Sequence, residues 1–181
     1  MNLLVVLSGI STLLLSLLLG IFILFLGFKI FSGFSKSIDE EYELKQNNIA
    51  VAILSGSFIL ALGLMMKTSV NPLIQSIFRA IFYNDTGLAG TLGNLSISLL
   101  QFILTLLISV ASLWLGVKGF TWLTRNIDEF EEIKNNNIAI AILMAAIIIT
   151  LALFLQNGLE KLLQVLRFTP GLNNNNLTPF G

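Results

Sequence analysis

Residues 38–54 read IDEEYELKQNNIAVAIL, and residues 127–143, which begin 89 positions later, read IDEFEEIKNNNIAIAIL. Twelve of these seventeen aligned positions are identical. The correspondence extends outward from this stretch, for example to Gly27 and Gly116. Two units of 89 residues account for nearly all of the 181-residue chain, so we interpret the protein as a tandem duplication.

Each copy of this stretch starts polar and ends inside an apolar run. Four runs contain no Asp, Glu, Lys or Arg, and about 20 apolar residues are enough to cross a bilayer as a helix. They cover residues 3–28, 49–66, 95–117 and 138–155. Only 11% of the chain is charged, against about 25% in a soluble domain. The sequence therefore predicts an all-α integral membrane protein with four transmembrane helices, built as two tandem repeats of a helical hairpin.

The boundaries of the two repeats follow from this pattern. The first repeat covers residues 1–91 and the second covers residues 92–168. In each repeat the hairpin is followed by a stretch with apolar residues at i, i+3 and i+4 spacing, near residues 71–83 and 158–168, which predicts a short amphipathic helix in the membrane interface. Residues 169–181 contain an Asn run and two prolines, and we predict that they are disordered.

Two spans per repeat return the chain to the side on which it started. The second hairpin therefore inserts with the same orientation as the first, and the repeats are parallel rather than inverted. Inverted repeats underlie many alternating-access transporters, whereas parallel repeats are related by an axis along the membrane normal. This arrangement favours a small bundle, or a ring of bundles, over a rocking carrier.

Most charges lie in two segments between the spans of each hairpin, residues 29–48 and 118–137, which we call the charged segments. They hold six of the ten Lys and Arg residues and eight of the ten acidic ones. The positive-inside rule counts only Lys and Arg, and six against four predicts that both charged segments are cytoplasmic and both termini lie outside.

The charged segments carry signals for a helix start. Ser37 with Glu40, and Asn126 with Glu129, resemble capping boxes. No Pro or Gly interrupts residues 38–55, so we predict that the capped helix runs straight into the second span and projects from the membrane. The charged residues predicted to face a partner are Asp39, Glu40, Glu43, Lys45, Asp128, Glu129, Glu132 and Lys134.

Two polar patterns lie at or inside the spans. One is an Asn pair at the end of each charged segment, for which interhelical hydrogen bonding, interfacial solvation and the lining of a path are all open. The other is a stripe at i, i+4 spacing on the first and third spans, for which close helix packing is favoured. The residues concerned are Asn47, Asn48, Asn136, Asn137, Gln101, Thr12, Ser16, Thr105 and Ser109.

Composition excludes several kinds of chemistry. Without Cys or His, the chain lacks disulfides, thiolate nucleophiles, imidazole bases and the usual zinc ligands. The net charge is zero, whereas a nucleic-acid-binding protein usually carries a cluster of basic residues. No ionisable residue lies inside a predicted span, which argues against a proton relay or a carboxylate cation site. We therefore expect no catalytic residue, no cofactor and no metal, and we expect that the protein is not an enzyme.

The duplicated motif, E-x-K-x-N-N followed by I-A-x-A-I at the start of a span, resembles the YjfL-like bacterial membrane proteins. The residues that carry the resemblance are Glu43, Lys45, Asn47, Asn48, Ala50, Ala52, Glu132, Lys134, Asn136, Asn137, Ala139 and Ala141. That family has unknown function and four predicted spans in two repeated hairpins. The resemblance implies a multi-pass protein of the bacterial inner membrane and supplies no activity.

Two functions remain open from the sequence. The first is a non-catalytic scaffold or accessory subunit that associates with itself or with another membrane protein. The alternative is a passive channel or carrier for a small solute or ion, with the Asn pairs and Gln101 lining the path. The expected partners are the lipid bilayer and either a second copy of the chain or another membrane protein, but not nucleic acid.

Overall fold

The computed structural model describes residues 3–35, 38–82, 87–124 and 127–166. Within these ranges the protein is all-α, with two short helices and four long ones, which confirms the predicted fold class. The helices are α1 Leu3–Phe34, α2 Glu40–Lys45, α3 Ile49–Phe82, α4 Gly87–Leu123, α5 Glu129–Lys134 and α6 Ile138–Leu166. The order long, short, long occurs twice, once in each repeat.

The four long helices α1, α3, α4 and α6 are each long and apolar enough to cross a membrane. They contain 32, 34, 37 and 29 residues. At 1.5 Å per residue these helices measure about 44 to 56 Å, against about 30 Å for the hydrocarbon core. Each helix must therefore tilt or extend beyond the core.

The predicted continuous helix from residue 38 into the second span is wrong. α2 ends at Lys45 and α3 begins at Ile49, and the equivalent break separates α5 from α6. Asn47 and Asn136 lie in the breaks with φ of 59° and 63°. Asn is one of the few residues that adopt this left-handed conformation readily, and the conformation cannot continue an α-helix. The charged segments therefore do not project on long straight helices. Instead, α2 packs against α3, and α5 packs against both α3 and α6.

The stretches expected to form separate interfacial helices continue the spans instead. α3 runs unbroken through Pro72 to Phe82, and α6 runs to Leu166. A single Pro removes only one backbone hydrogen bond, and a long helix tolerates that loss where neighbouring helices support it. The predicted tail at 169–181 lies outside the described residues.

α3 is the central helix of the bundle. It packs against α1, α4 and α6, and its inner face carries fully buried side chains such as Leu54, Phe58 and Leu62. α6 packs against α3 and α4. α1 makes its main contacts with α3 alone, so most of its apolar surface is exposed within the described part of the chain, as expected for a helix that faces lipid.

Candidate functional site

The first Asn pair lies where the two repeats meet, a region that we call the inter-repeat junction (residues 43–51 with residues 132–136). Asn48 is buried and caps α3, because its Oδ1 accepts a hydrogen bond from the N–H of Val51 at 3.0 Å. Its Nδ2 donates to Glu43 Oε2 at 3.0 Å. The cap satisfies one of the free amides at the start of a helix.

The same Asn48 amide reaches the second repeat. Nδ2 lies 3.1 Å from the carbonyl oxygen of Ile133 and 2.9 Å from that of Lys134. These carbonyls end α5, where the helix dipole makes them favourable acceptors. Two amide protons are thus shared among three acceptors, and the side chain joins α2, α3 and α5.

Asn136 supplies a second bond across the junction. Its Oδ1 accepts a hydrogen bond from the N–H of Ala50 at 3.1 Å. Ala50 lies in the first turn of α3, where this N–H has no acceptor within the helix. The left-handed conformation of Asn136 places its side chain against α3, so the residue that breaks the helix also binds the other repeat.

The equivalent residues of the other pair make only local contacts. Asn137 Nδ2 donates to Glu132 Oε2 at 2.7 Å, and Asn137 Oδ1 accepts from the N–H of Ile140 at 3.4 Å. Asn47 is exposed, and within the described residues its side chain makes no hydrogen bond to the second repeat. The bonds of the junction are therefore asymmetric. The start of α3 binds the end of α5, whereas within the described residues the start of α6 does not bind the end of α2.

Two carboxylates of the charged segments point into the protein. Glu40 accepts a hydrogen bond from the hydroxyl of Ser35, and Glu129 accepts one from the hydroxyl of Thr124. Both carboxylates are buried. These bonds connect the end of the preceding long helix to the short helix in each repeat.

The eight charged residues predicted to face a partner thus divide into two groups. Glu40, Glu43, Glu129 and Glu132 have internal partners; the first three are buried and Glu132 is half-buried. Asp39, Lys45, Asp128 and Lys134 are exposed. Some acidic side chains of each charged segment bind internal partners and hold the short helix in place, so the other charged side chains remain exposed.

The predicted capping boxes take a different form. Asp39 caps α2 by accepting from the N–H of Tyr42 at 3.1 Å, and Asp128 caps α5 by accepting from the N–H of Glu131 at 3.1 Å. Ser37 and Asn126 lie outside the described residues. A carboxylate one residue before the helix is a better acceptor for the first-turn amides than a more distant hydroxyl.

The polar stripe on the third span lies in the core. Gln101, Thr105 and Ser109 are all buried on α4. Gln101 Nε2 donates to the carbonyl of Leu163 at 3.3 Å, and Thr105 donates to the carbonyl of Gln101 at 2.7 Å. The hydroxyl of Ser109 has no hydrogen-bond partner within the described part of the chain. Of these residues, Gln101 connects α4 to α6.

The stripe on the first span is placed differently. Thr12 and Ser16 are exposed on α1, and Ser16 donates to the carbonyl of Thr12 at 2.8 Å. Such back-bonding satisfies a hydroxyl within its own helix. Equivalent stripes in the two repeats therefore have opposite environments.

Gln101 and the Asn pairs lie at opposite ends of the bundle. Leu163, the partner of Gln101, is 25 residues beyond Ile138, which corresponds to about 38 Å along α6. Asn48, by contrast, binds residues that precede α6. The structure does not bring the polar groups predicted to line a path into one site.

A polar cleft of about 340 Å³ lies between α3 and α6, toward the end of the bundle opposite the short helices. It is lined by Lys67, Thr68, Asn71, Pro72, Gln75, Gln156 and Glu160. Within the described residues, no group of three or more carboxylates is placed to hold a metal ion.

The family model of a Domain of Unknown Function (DUF350) matches the chain twice, over residues 5–99 and residues 92–172. The chain belongs to this family. The two matches correspond to the two hairpin repeats, so each repeat is one DUF350 unit. The two matches confirm that the chain belongs to a family of unknown function and that the unit is duplicated. They do not confirm the YjfL name. No curated protein and no solved structure matches the chain with significance.

Some residues of the DUF350 units were not predicted as site residues. Ser35 and Thr124 hold the buried carboxylates, and the signal for them was a hydroxyl at the same position of both repeats. Lys67 and Glu160 of the polar cleft lie outside the predicted spans, since Lys67 directly follows the span 49–66 and Glu160 lies five residues beyond the span 138–155. Their proximity depends on the packing of α3 against α6, which the sequence does not encode locally.

Proposed function

We propose that the protein is a non-catalytic membrane scaffold or accessory subunit that associates with itself or with a membrane protein. The observation that carries this proposal is the inter-repeat junction. There, Asn48 and Asn136 use their amide groups to bind another hairpin of the same kind. In an apolar medium, such polar contacts and close packing are what hold helices together.

The distribution of charge supports this role. The buried carboxylates hold α2 and α5 in place, which leaves Asp39, Lys45, Asp128 and Lys134 on the outside. Glu41 and Glu131 are exposed as well, so this surface carries both acidic and basic groups, which suits contact with a protein of mixed charge. We infer that this surface is cytoplasmic, as the positive-inside rule predicts, and that the membrane is the bacterial inner membrane, as the YjfL-like resemblance implies.

The proposal includes the absence of enzymatic activity. The chain has neither Cys nor His. Four carboxylates of α2 and α5, those of Glu40, Glu43, Glu129 and Glu132, are engaged with Ser35, Asn48, Thr124 and Asn137. A general base that is held by internal hydrogen bonds is poorly placed to accept a proton from a substrate.

Native mass measurement in a mild detergent tests the proposal. We expect a defined oligomer or a complex with a co-purifying membrane protein. A strictly monomeric protein without any partner would overturn it. Stoichiometry is the first quantity to obtain, because it also decides whether several bundles surround a common axis.

A passive channel or carrier is the second candidate, and the polar cleft between α3 and α6 favours it. Lys67 and Glu160 give that cleft a cation and an anion beside several amides, a set that suits a small polar or zwitterionic solute. Flux of such solutes across proteoliposomes tests this alternative. A flux that falls in Glu160→Gln supports it, and a tight vesicle containing correctly assembled protein excludes it.

A further inference from the structure

The second spans of the two repeats, α3 and α6, differ in how many long helices they pack against. α3 packs against its own first span α1 and also against α4 and α6 of the next repeat. α6 packs against its own first span α4 and against α3, but within the described residues α1 makes no comparable contact with it. Since the repeats are equivalent in sequence, α6 lacks the neighbours that a following repeat would supply.

One face of α6 shows this lack residue by residue. Leu54 and Met65 of α3 are 1% and 0% exposed, whereas their equivalents on α6, Leu143 and Phe154, are 48% and 78% exposed. Ala61 is also fully buried, and its equivalent Thr150 is exposed. We call the exposed residues 139, 143, 150 and 154 the open face of α6.

The converse face lies on α3. Ala141, Ala145 and Ala152 of α6 are buried, and their equivalents on α3 are accessible. Those equivalents are Ala52, Gly56 and Gly63. A Cβ added at Gly56 or Gly63 would meet nothing within 4 Å, so this side of α3 has room for another helix. We call it the open face of α3.

The polar stripes follow the same rule. Gln101 and Thr105 are buried on α4, and their equivalents Thr12 and Ser16 are exposed on α1. α4 packs against α3 of the first repeat and against α6 of its own repeat, whereas within the described residues α1 makes its main contacts with α3 alone. The stripe on α1 is therefore also an accessible surface of the first repeat.

Within the described residues, the polar groups equivalent to those of the junction make no bond between the repeats. Asn48 donates to the last carbonyls of α5, but Asn137, its equivalent, does not reach the last carbonyls of α2. Asn136 accepts from the N–H of Ala50, but within the described residues no side chain accepts from the N–H of Ala139. The side chain that would do so by equivalence is that of Asn47, which is exposed.

We propose that a second copy of this chain docks head to tail, with the open face of α6 and the start of α6 against α1, α2 and the open face of α3 of the next copy. The contact between copies repeats the contact between the two halves of one chain. It rests on the proposed function and specifies the surface and the geometry of self-association. In it, Asn137 of one copy donates to the end of α2 of the next, and Asn47 of the next copy accepts from the N–H of Ala139.

This contact is heterologous, because two different surfaces meet. Heterologous contacts close into rings or continue as open rows, whereas a twofold dimer would pair identical surfaces. The contact also covers Thr150 of one copy, which is otherwise exposed on a helix that faces lipid.

Cross-linking tests the geometry directly, because the chain has no native cysteine. The control is the internal contact: Ala50→Cys with Asn136→Cys, whose parent residues are joined at 3.1 Å, gives a cross-link within one chain and no increase in mass. The test variant carries the equivalent pair, Asn47→Cys with Ala139→Cys. A short bismaleimide applied to membranes is expected to convert it into dimers and larger multiples.

Single variants distinguish head-to-tail docking from a twofold dimer. Asn47→Cys alone and Ala139→Cys alone are expected to stay uncross-linked, and co-expression of the two single variants is expected to give one dimer band. Dimers from either single variant would overturn the proposal in favour of a symmetric interface.

Native mass measurement of the same preparations separates the two proposals. A defined oligomer in which the 47–139 pair does not cross-link overturns the head-to-tail contact and leaves the proposed self-association intact. A monomer that also fails to cross-link in membranes overturns both.

Discussion

At Asn48, one buried side chain caps α3, binds the carboxylate of its own short helix and reaches the carbonyls of the other repeat. Asn137, at the equivalent position, caps α6 and binds the carboxylate of Glu132, but within the described residues it makes no bond between repeats. The amide has the same chemistry at both positions. What differs is whether a neighbouring hairpin is present to supply acceptors.

This difference predicts unequal costs of truncation. Asn137→Ala loses a helix cap, which costs about 1 kcal/mol. Asn48→Ala loses a cap, the donor to the buried carboxylate of Glu43 and the bonds to the end of α5, so we expect a loss of about 2–4 kcal/mol. The measurement is unfolding in a detergent in which the protein is monomeric. Equal losses at the two positions would show that the bonds across the junction contribute nothing to stability.

At the scale of the element, a single left-handed residue decides where each short helix ends. The sequence predicts one continuous helix from each charged segment into the following span, and Asn47 and Asn136 interrupt it. The interruption allows α2 and α5 to lie against the bundle rather than to extend from it. In both repeats the break also places the next Asn at the N-cap of the following span.

Substitution at Asn47 tests the break, because this side chain makes no hydrogen bond between the repeats of one chain. Asn47→Gly keeps the left-handed conformation without steric strain, and we expect stability to change by less than about 1 kcal/mol. Asn47→Val places a β-branched residue at a φ of 59°, and we expect a loss of about 1–3 kcal/mol. Unfolding of the monomer in detergent measures both.

Gln46→Val is the matched control for Asn47→Val. Gln46 is exposed and its φ is −83°, a conformation that Val adopts readily. Stability should change little in this variant. If both Val variants lose stability equally, the cause is the side chain at the exposed surface and not the backbone conformation.

At the scale of the whole molecule, two parallel hairpins meet through different surfaces. α3 is enclosed by three long helices, and α6 is not. The sequence repeats alone are compatible with a twofold arrangement of the two hairpins. In that arrangement α3 would contact the second repeat in the same way as α6 contacts the first. The single direction of the junction excludes that arrangement within one chain and leaves one open surface at each end.

The orientation in the membrane is a separate prediction. A cysteine at the exposed Glu41 should be protected from an impermeant thiol reagent in intact cells and should react after the membrane is opened. Leu88→Cys is the control at the opposite end of the bundle, where the parent side chain is 75% exposed, and it should react in intact cells. The reverse labelling pattern would place the charged segments outside.

The sequence by itself determined the four spans, the all-α class and the duplication. Charge-free runs long enough for a bilayer permit few other structures, since every backbone polar group in lipid must be satisfied within a helix. The near-identity of residues 38–54 and 127–143 fixed the repeat and its register. The sequence also singled out the Asn pairs, because two polar amides at the start of a span are costly unless they bind something.

Only the tertiary structure decided which member of each pair bonds across the repeats, and which carboxylates turn inward. Asn48 and Asn137 are identical in type and local setting, so no local rule distinguishes them. Their roles diverge because the end of α5 lies beside the start of α3, whereas within the described residues no short helix of the other repeat lies beside the start of α6. Glu40 likewise turns inward because Ser35 is brought beside it at the end of α1. Contacts of this kind depend on how the hairpins pack. The packing is determined by many residues along whole helix faces and not by one short sequence motif.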